Sequence, residues 1–510
     1  MTDWPSDTLP QRLQHWALTA PDRPALVDAD GSTWTYGALA REIQRWRSRL
    51  LSAGVGPGDR VVSLQGRRSA TVAAMWATWT AGAAWAPLAD AVPLAALADH
   101  LARLRPKALV LLSDEPARRA LAVSQGVAVV HGLPWDDNII RPTTDQEPNH
   151  GQPPGQPALA AILHTSGSRG EPKGVMLSHG NLAFTAAAIT QGLGLRSDDR
   201  LYCALPLHHS YGLYQLWCGL GMGACVVLGE AASLGARLAQ QFNLHQATVL
   251  PATPGLLRLL LQRHEPAALP TVRLITQAAD RLTPQEAQRV RSAWPQARLV
   301  RMYGLTECGR VSIETDHDRP AWDSSVGRPL PGTRVCIVDD HGQRLPAGHA
   351  GRLWVHGPHV MQGYWEQPLA TARALVTQTG LDGPPGPWLD TGDIVIEDSD
   401  GCLHFQSRDA DRLKCRGERV SAHSVREAVM AHPAVLDCAV IGRPHPVLGQ
   451  QIEAHVVVHD GHACDAAALA EHCRERLEPA HCPQRFQFWP ALPKNELGKV
   501  STMALLAQGL

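Results

Sequence analysis

The sequence predicts an α/β protein: a large N-terminal domain of layered α/β subdomains, followed by a small C-terminal α/β domain. Three observations carry that expectation. Over roughly the first 400 residues, short apolar runs alternate with longer amphipathic runs, which places helices over mostly parallel sheets. A charge-dense stretch, residues 406–418 (QSRDADRLKCRGE), then interrupts the alternation and reads as an exposed connector. Finally, a chain of 510 residues exceeds one simple core, and about 150 residues per domain implies about three folding units.

The elements follow in order. Residues Thr71 to Ala89 (TVAAMWATWTAGAAWAPLA) carry no charge and have the length of a membrane span. Gly82 and Pro87 interrupt the stretch and Ala and Thr dilute it, so it reads as a buried helix running into a buried strand. Ala108–Leu112, Val127–Val130, Ala224–Leu228 and Val335–Val338 are apolar runs of strand length. Residues 143–157 (TTDQEPNHGQPPGQP) form a Pro- and Gly-rich surface connection before a further predicted strand, Ala158–Leu163. Beyond the connector, Ser421 can cap a helix through about Met430. Strands at Cys438–Ile441 and Ala454–Val458 and a helix at Asp465–Leu477 complete a small α/β unit, and no internal repeat is found.

Composition narrows the function. With 47 basic and 48 acidic residues the formal net charge is -1, which argues against a nucleic-acid binder or an anionic-membrane binder. Eleven scattered cysteines without a CxxC pair imply free thiols in a reducing compartment. The N-terminus, MTDWPSDTLPQRLQ, is polar and acidic and does not read as a signal peptide. A cytoplasmic location follows as the expectation.

The strand from Ala158 feeds the most informative loop, HTSGSRGEPKGV at 164–175. Gly167, Gly170 and Gly174 let the backbone bend and approach a ligand closely. Thr165, Ser166 and Ser168 supply hydroxyls, and Arg169 and Lys173 supply positive charge. Backbone N–H groups in such a turn form an anion-binding concavity, suited to nucleotide phosphates. The GxxxxGK[ST] spacing of a Walker A loop is absent.

The order TSGSxGxPKG resembles the phosphate loop of the adenylate-forming superfamily, the AMP-dependent synthetases and ligases that include acyl-CoA synthetases, nonribosomal peptide synthetase adenylation domains and luciferases. Arg169 replaces that family's usual threonine. The resemblance covers essentially the whole chain, with TYGAL at 35–39 and GVGPGDRV at 54–61 also matching. It divides the chain into an N-terminal AMP-binding domain at 1–406, a hinge connector at 407–411 and a mobile C-terminal domain at 412–510. Residues 303–307, YGLTE, match YGxTE. The resemblance therefore implies that the Tyr303 ring stacks on adenine with Gly304 also in the nucleotide site, that Thr306 touches the α-phosphate, and that Glu307 helps hold Mg²⁺ together with Thr165. Asp393, in WLDTGD, and Arg408, in the connector motif, are implied contacts to ribose. Gln277, Ala278 and Ala279, in TQAADRL, would line the adenine side. Lys499, in LPKNELGK, is the implied catalytic lysine that stabilises charge developing at the α-phosphate.

These assignments imply an AMP-forming acid–thiol ligase. ATP and Mg²⁺ convert a carboxylic acid to an acyl-adenylate and pyrophosphate, and the acyl group passes to CoA or to the phosphopantetheine of a separate acyl carrier protein. Amide-forming or amino-acid-activating ligation, or nucleotide binding without turnover, are the alternatives. In LPLHHSYGL at 205–213, His209 matches the family's acid-pocket histidine, with Ser210 and Tyr211 beside it. Amino-acid-activating relatives place an aspartate here. Ser210 supplies no counter-charge for a buried ammonium, so an acyl or aryl acid is expected. Partners reduce to that small-molecule acid and the acceptor, in a monomer or homodimer, with no nucleic acid and no membrane. Departures from the family pattern fall at Ala279, Asp280, Arg352, Ala410, Ser424, Arg426, His445 and Thr502, and they bear chiefly on the second half-reaction.

Overall fold

The protein is described by a computed structural model covering all residues except 1–6, 67, 114, 132–157, 166–172, 230–235, 262–267, 281, 315–324, 378–385, 409–411, 416–417, 446–447, 460, 462–463, 495–499 and 508–510. Two large sheets dominate the N-terminal part. One has seven strands in the spatial order Gly363–Tyr364, Lys173–Ser178, Leu159–Thr165, Ala84–Ala89, Arg60–Gln65, Ala108–Leu111 and Ala128–His131. Its pairings are parallel except at the edge formed by Leu159–Thr165, Lys173–Ser178 and Gly363–Tyr364. The other has nine strands, with a parallel run from Arg298–Tyr303 through Leu274–Gln277, Val249–Ala252, Arg200–Cys203 and Cys225–Leu228 to Pro24–Val27.

Residues 71–89 do form a helix, Ser69–Thr80, and a strand, Ala84–Ala89. The helix is buried almost all round, which explains why it lacks an amphipathic stripe. No helix among the described residues is long and apolar enough to cross a membrane. The Trp79 indole donates to the Ala160 carbonyl at 2.8 Å. Its ring lies 5.1, 6.4 and 6.0 Å from those of Trp76, Trp85 and Trp217. This indole cluster ties the helix to the seven-stranded sheet and to helix Ser210–Met222, a packing use for tryptophan in a chain poor in phenylalanine.

Residues 334–408 depart from the parallel expectation. Arg334–Val338, Ala350–His356, Trp388–Glu397, Leu375–Val376 and Leu403–Arg408 form a wholly antiparallel sheet. The link after Val338 is a turn closed by Asp339 N–H to Gln343 O at 2.9 Å and Leu345 N–H to Ile337 O at 2.8 Å. A parallel return would need a crossover of a dozen or more residues, usually helical.

Beyond Arg412 a separate sheet begins. It consists of Glu418–Ser421, Arg412–Cys415, Gly449–Val458 and Val435–His445, with Arg485–Phe488 alongside Gly449–Val458. Ser421 caps helix Ala422–Met430, its Oγ accepting from Ser424 N–H at 3.2 Å, and Asp465 caps Ala466–Arg474 by accepting from Ala468 N–H at 2.8 Å. Val429, Val456 and Leu469 centre a core of its own.

Candidate active site

The site gathers where strand Arg298–Tyr303 ends and turns into residues 304–310. The carboxyl ends of parallel strands are where α/β sheets bind ligands. Gly304 is required by packing: a Cβ there would lie 2.3 Å from the Gly309 carbonyl oxygen and 2.8 Å from Arg310 Cα. The Met361 N–H donates to the Glu307 carbonyl at 2.8 Å and pins the turn.

Thr165 and Lys173 are register partners across the hairpin that carries the phosphate loop. The loop's own Ser166, Gly167, Ser168, Arg169 and Gly170 lie outside the described residues, as do Lys499 and Ala410. Lys173 Nζ sits 4.7 Å from the centroid of the Tyr364 ring, a cation–π distance. Tyr364 Oη in turn donates to Glu307 Oε1 at 2.9 Å. Burial, and then the Glu307 carboxylate, push the Tyr364 phenol far above its ordinary pKa, so it stays protonated as a donor. Glu307 Oε2 has no protein partner among the described residues. One free hard oxygen would suit Mg²⁺ once a bound nucleotide supplied phosphate oxygens, since Mg²⁺ usually takes only one or two carboxylates.

On the other side of the turn, Tyr303 Oη donates to Asp393 Oδ2 at 2.5 Å. Arg408 Nε lies 3.3 Å from Asp393 Oδ1, and the two residues are register partners on neighbouring strands. The Asp393 N–H donates to Thr391 Oγ1 at 3.1 Å, and Thr391 is tied to the Leu353 carbonyl at 2.8 Å. Lys173, Tyr364 and Glu307 thus form one linked set and Tyr303, Asp393 and Arg408 a second, and the 303–307 turn joins the two although their members come from distant parts of the sequence. Burial, and then Asp393, push the Tyr303 phenol well up.

Gln277 ends strand Leu274–Gln277, and its Nε2 donates to the Asp280 carbonyl at 2.5 Å. Ala278 is buried, and Ala279 adopts φ +80°. The backbone keeps a left-handed turn that favours glycine while the residue is alanine, a cost of about 1–2 kcal/mol. Ala279→Gly is expected to raise stability by about 0.5–1 kcal/mol after the unfolded-state entropy of glycine is subtracted. Urea melts of both forms would read it, and an unchanged or lower midpoint would refute it.

His209 is the N-cap of helix Ser210–Met222, and its ring is 4.2 Å from that of His208. A Cβ at Gly212 would lie 2.3 Å from the Pro206 carbonyl, so the motif glycine serves the tight entry to the helix. Tyr211 is buried. Its hydroxyl is bonded to the Thr276 carbonyl at 2.9 Å and lies 3.0 Å from Thr276 Oγ1. The hydroxyl is therefore already engaged within the protein.

Two residues of the site escaped sequence reasoning. Tyr364 sits in GYW at 363–365, too short a signal to assign. Arg310, three residues past Glu307, is a lone cation in an otherwise apolar run, and that contrast was the available clue. Several family departures have structural uses. Arg352 Nη2 donates to Asp390 Oδ2 at 2.6 Å. Arg426 Nε donates to the Cys438 carbonyl at 2.7 Å, and His445 Nδ1 accepts from Leu448 N–H at 3.1 Å.

Residues 13–365 match the family model described as AMP-binding enzyme, and residues 424–499 match AMP-binding enzyme C-terminal domain. The chain is 30% identical to a sulfoacetate–CoA ligase of Cupriavidus necator over 98% of its length and 97% of the relative's. It is 29% identical to an L-proline–[L-prolyl-carrier protein] ligase of Pseudomonas fluorescens, covering 98% of this chain and 99% of the other. Among solved structures, ATP-bound MatB from Rhodopseudomonas palustris superposes with a TM-score of 0.86 at 27% identity, covering 98% of both chains.

Proposed function

The chain belongs to the AMP-binding enzyme family, and from that premise we propose that it activates a carboxylic acid with ATP and transfers the acyl group to a thiol. The two sets joined by the 303–307 turn, Lys173–Tyr364–Glu307 and Tyr303–Asp393–Arg408, carry this reading. A carboxylate is a poor electrophile, because its charge is delocalised and its leaving group would be oxide. Its attack on the ATP α-phosphate releases pyrophosphate and leaves an acyl-adenylate, from which AMP departs readily.

The Tyr303 ring and Gln277, Ala278 and Ala279 bound the adenine. Asp393 accepts from the ribose hydroxyls with Arg408 beside it. Lys173 and the phosphate loop hold the phosphates, and Thr306 contacts the α-phosphate. Mg²⁺, held by Glu307 with Thr165, would neutralise phosphate charge. Lys499, brought in by the C-terminal domain, stabilises charge at the reacting phosphorus. The connector at 407–411 is the hinge about which that domain turns for the second half-reaction. The thiol is that of CoA or of a carrier-protein phosphopantetheine, two acceptors that share one arm. A cytoplasmic enzyme, monomeric or homodimeric, is the setting in which this reading applies.

ATP–pyrophosphate exchange across a panel of acids tests the proposal, with Lys499→Ala as the control that suppresses exchange. Acid-dependent exchange followed by thioester formation on adding CoA or a phosphopantetheinylated carrier is expected. ATP binding without exchange on any acid would overturn it.

A further inference from the structure

Arg310 is a buried guanidinium, 4% exposed. It forms no salt bridge or side-chain hydrogen bond to any described residue, and its Nε is buried without a hydrogen-bond partner. Its guanidinium carbon lies 5.5 Å from the centroid of the Tyr211 ring. The ionisable groups that face it are Tyr211, Tyr214 and Cys218, from one face of helix Ser210–Met222, and Cys308 from its own turn. All four are neutral at physiological pH. Burial pushes Tyr211, Cys218 and Cys308 each up to about 12, and Tyr214 higher still. Burial also pulls Arg310 itself below its ordinary value.

A buried charge without a partner is costly, and proteins pair such charges or bind a ligand with them. The position is built rather than incidental. Gly309, at φ +64°, has no room for a Cβ, which would meet Tyr214 Oη at 2.5 Å, and Gly304 packs on the other side of the same turn. The turn that presents Glu307 to the nucleotide therefore also holds Arg310 over the ring of Tyr211, the residue after Ser210 in the acid-pocket motif.

We propose that Arg310 is the specificity residue for a second anionic group on the acid, so that the substrate is a short carboxylic acid carrying a distal carboxylate or sulfonate. This rests on the acid-activating reading above and names its substrate class. The reacting carboxylate sits by Thr306 and Glu307, and the distal anion completes the shell of Arg310 with charge-assisted hydrogen bonds. The same cation repels an α-ammonium, so amino acids are disfavoured by charge as well as by the absence of an acid at Ser210.

The test is ATP–pyrophosphate exchange with malonate, succinate and sulfoacetate against propionate, butyrate and the mono-amide of succinate, in wild type, Arg310→Met and Arg310→Lys. Wild type should favour an anionic-tailed acid over its uncharged counterpart by about 100-fold or more in kcat/KM. Arg310→Met should abolish that preference, with the larger loss falling on the anionic-tailed acids, and Arg310→Lys should restore part of it. Removing an unpaired buried charge should also raise the Tm of the ligand-free protein, whereas a purely structural arginine would lower it on removal.

Wild-type preference for uncharged tails overturns the proposal, as does an Arg310→Met variant with unchanged preference. If Arg310→Met fails to fold, the wild-type panel and Arg310→Lys still decide. If no acid drives exchange, the activation reading fails separately. Arg310 is then judged by the Tm rise with malonate or sulfoacetate: a rise in wild type that the Met variant lacks supports it, and no rise overturns it.

Discussion

Glu307→Gln is expected to lower kcat/KM for acyl-adenylate formation by about 10²–10³-fold with the fold intact. The amide keeps an acceptor for the Tyr364 hydroxyl, which donates to Glu307 Oε1 at 2.9 Å, and the Glu307 carbonyl still receives the Met361 N–H. What disappears is the second, anionic oxygen: the amide presents an NH2 there, which cannot serve Mg²⁺, a hard cation that takes oxygen ligands. Exchange assayed over a Mg²⁺ series should show a higher requirement in the variant, while its Tm stays close to wild type. Tyr364→Phe removes only the donor and should cost far less, about 3–10-fold, in line with the roughly 0.5–1.5 kcal/mol net contribution of one hydrogen bond. A Glu307→Gln enzyme with normal exchange at low Mg²⁺ would remove Glu307 from the metal site.

Gly304→Ala is expected to destabilise the protein by at least about 2–3 kcal/mol and to cut adenylation by an order of magnitude or more. The new methyl would lie 2.3 Å from the Gly309 carbonyl oxygen and 2.8 Å from Arg310 Cα. Both are backbone atoms, so no rotamer change relieves the clash. The whole turn must shift, and it carries Thr306, Glu307 and Arg310 at once. A misplacement near 1 Å at reacting groups is enough to lose about 10²-fold in rate. Urea unfolding and exchange on the same preparation would read both effects, and wild-type values for either would show that the turn yields more easily than its contacts imply.

How much of this was legible in advance depends on the distance over which each feature is encoded. The buried helix at Ser69–Thr80, the strands at Leu159–Thr165 and Cys225–Leu228, and the caps at Ser421 and Asp465 are written in a few consecutive side chains. Periodicity, capping and apolar run length act within one element, so the sequence alone determined them. The family resemblance rests on short motifs of the same kind, and it implies a shared nucleotide role for Tyr303, Glu307, Asp393 and Arg408.

Tertiary structure decided what each of those residues faces. The sheet over 334–408 is antiparallel, because strand direction depends on what the connections can span. The Tyr211 hydroxyl is consumed by Thr276, Arg352 pairs with Asp390, and Tyr364 is the partner of Glu307. Arg310 stands out in the sequence only as a cation beside apolar residues, and it becomes a buried charge with no ion-pair partner among the described residues only when helix Ser210–Met222 packs over it. Burial and pairing are properties of contacts between residues far apart in the chain, and no local pattern encodes the partner on the other side.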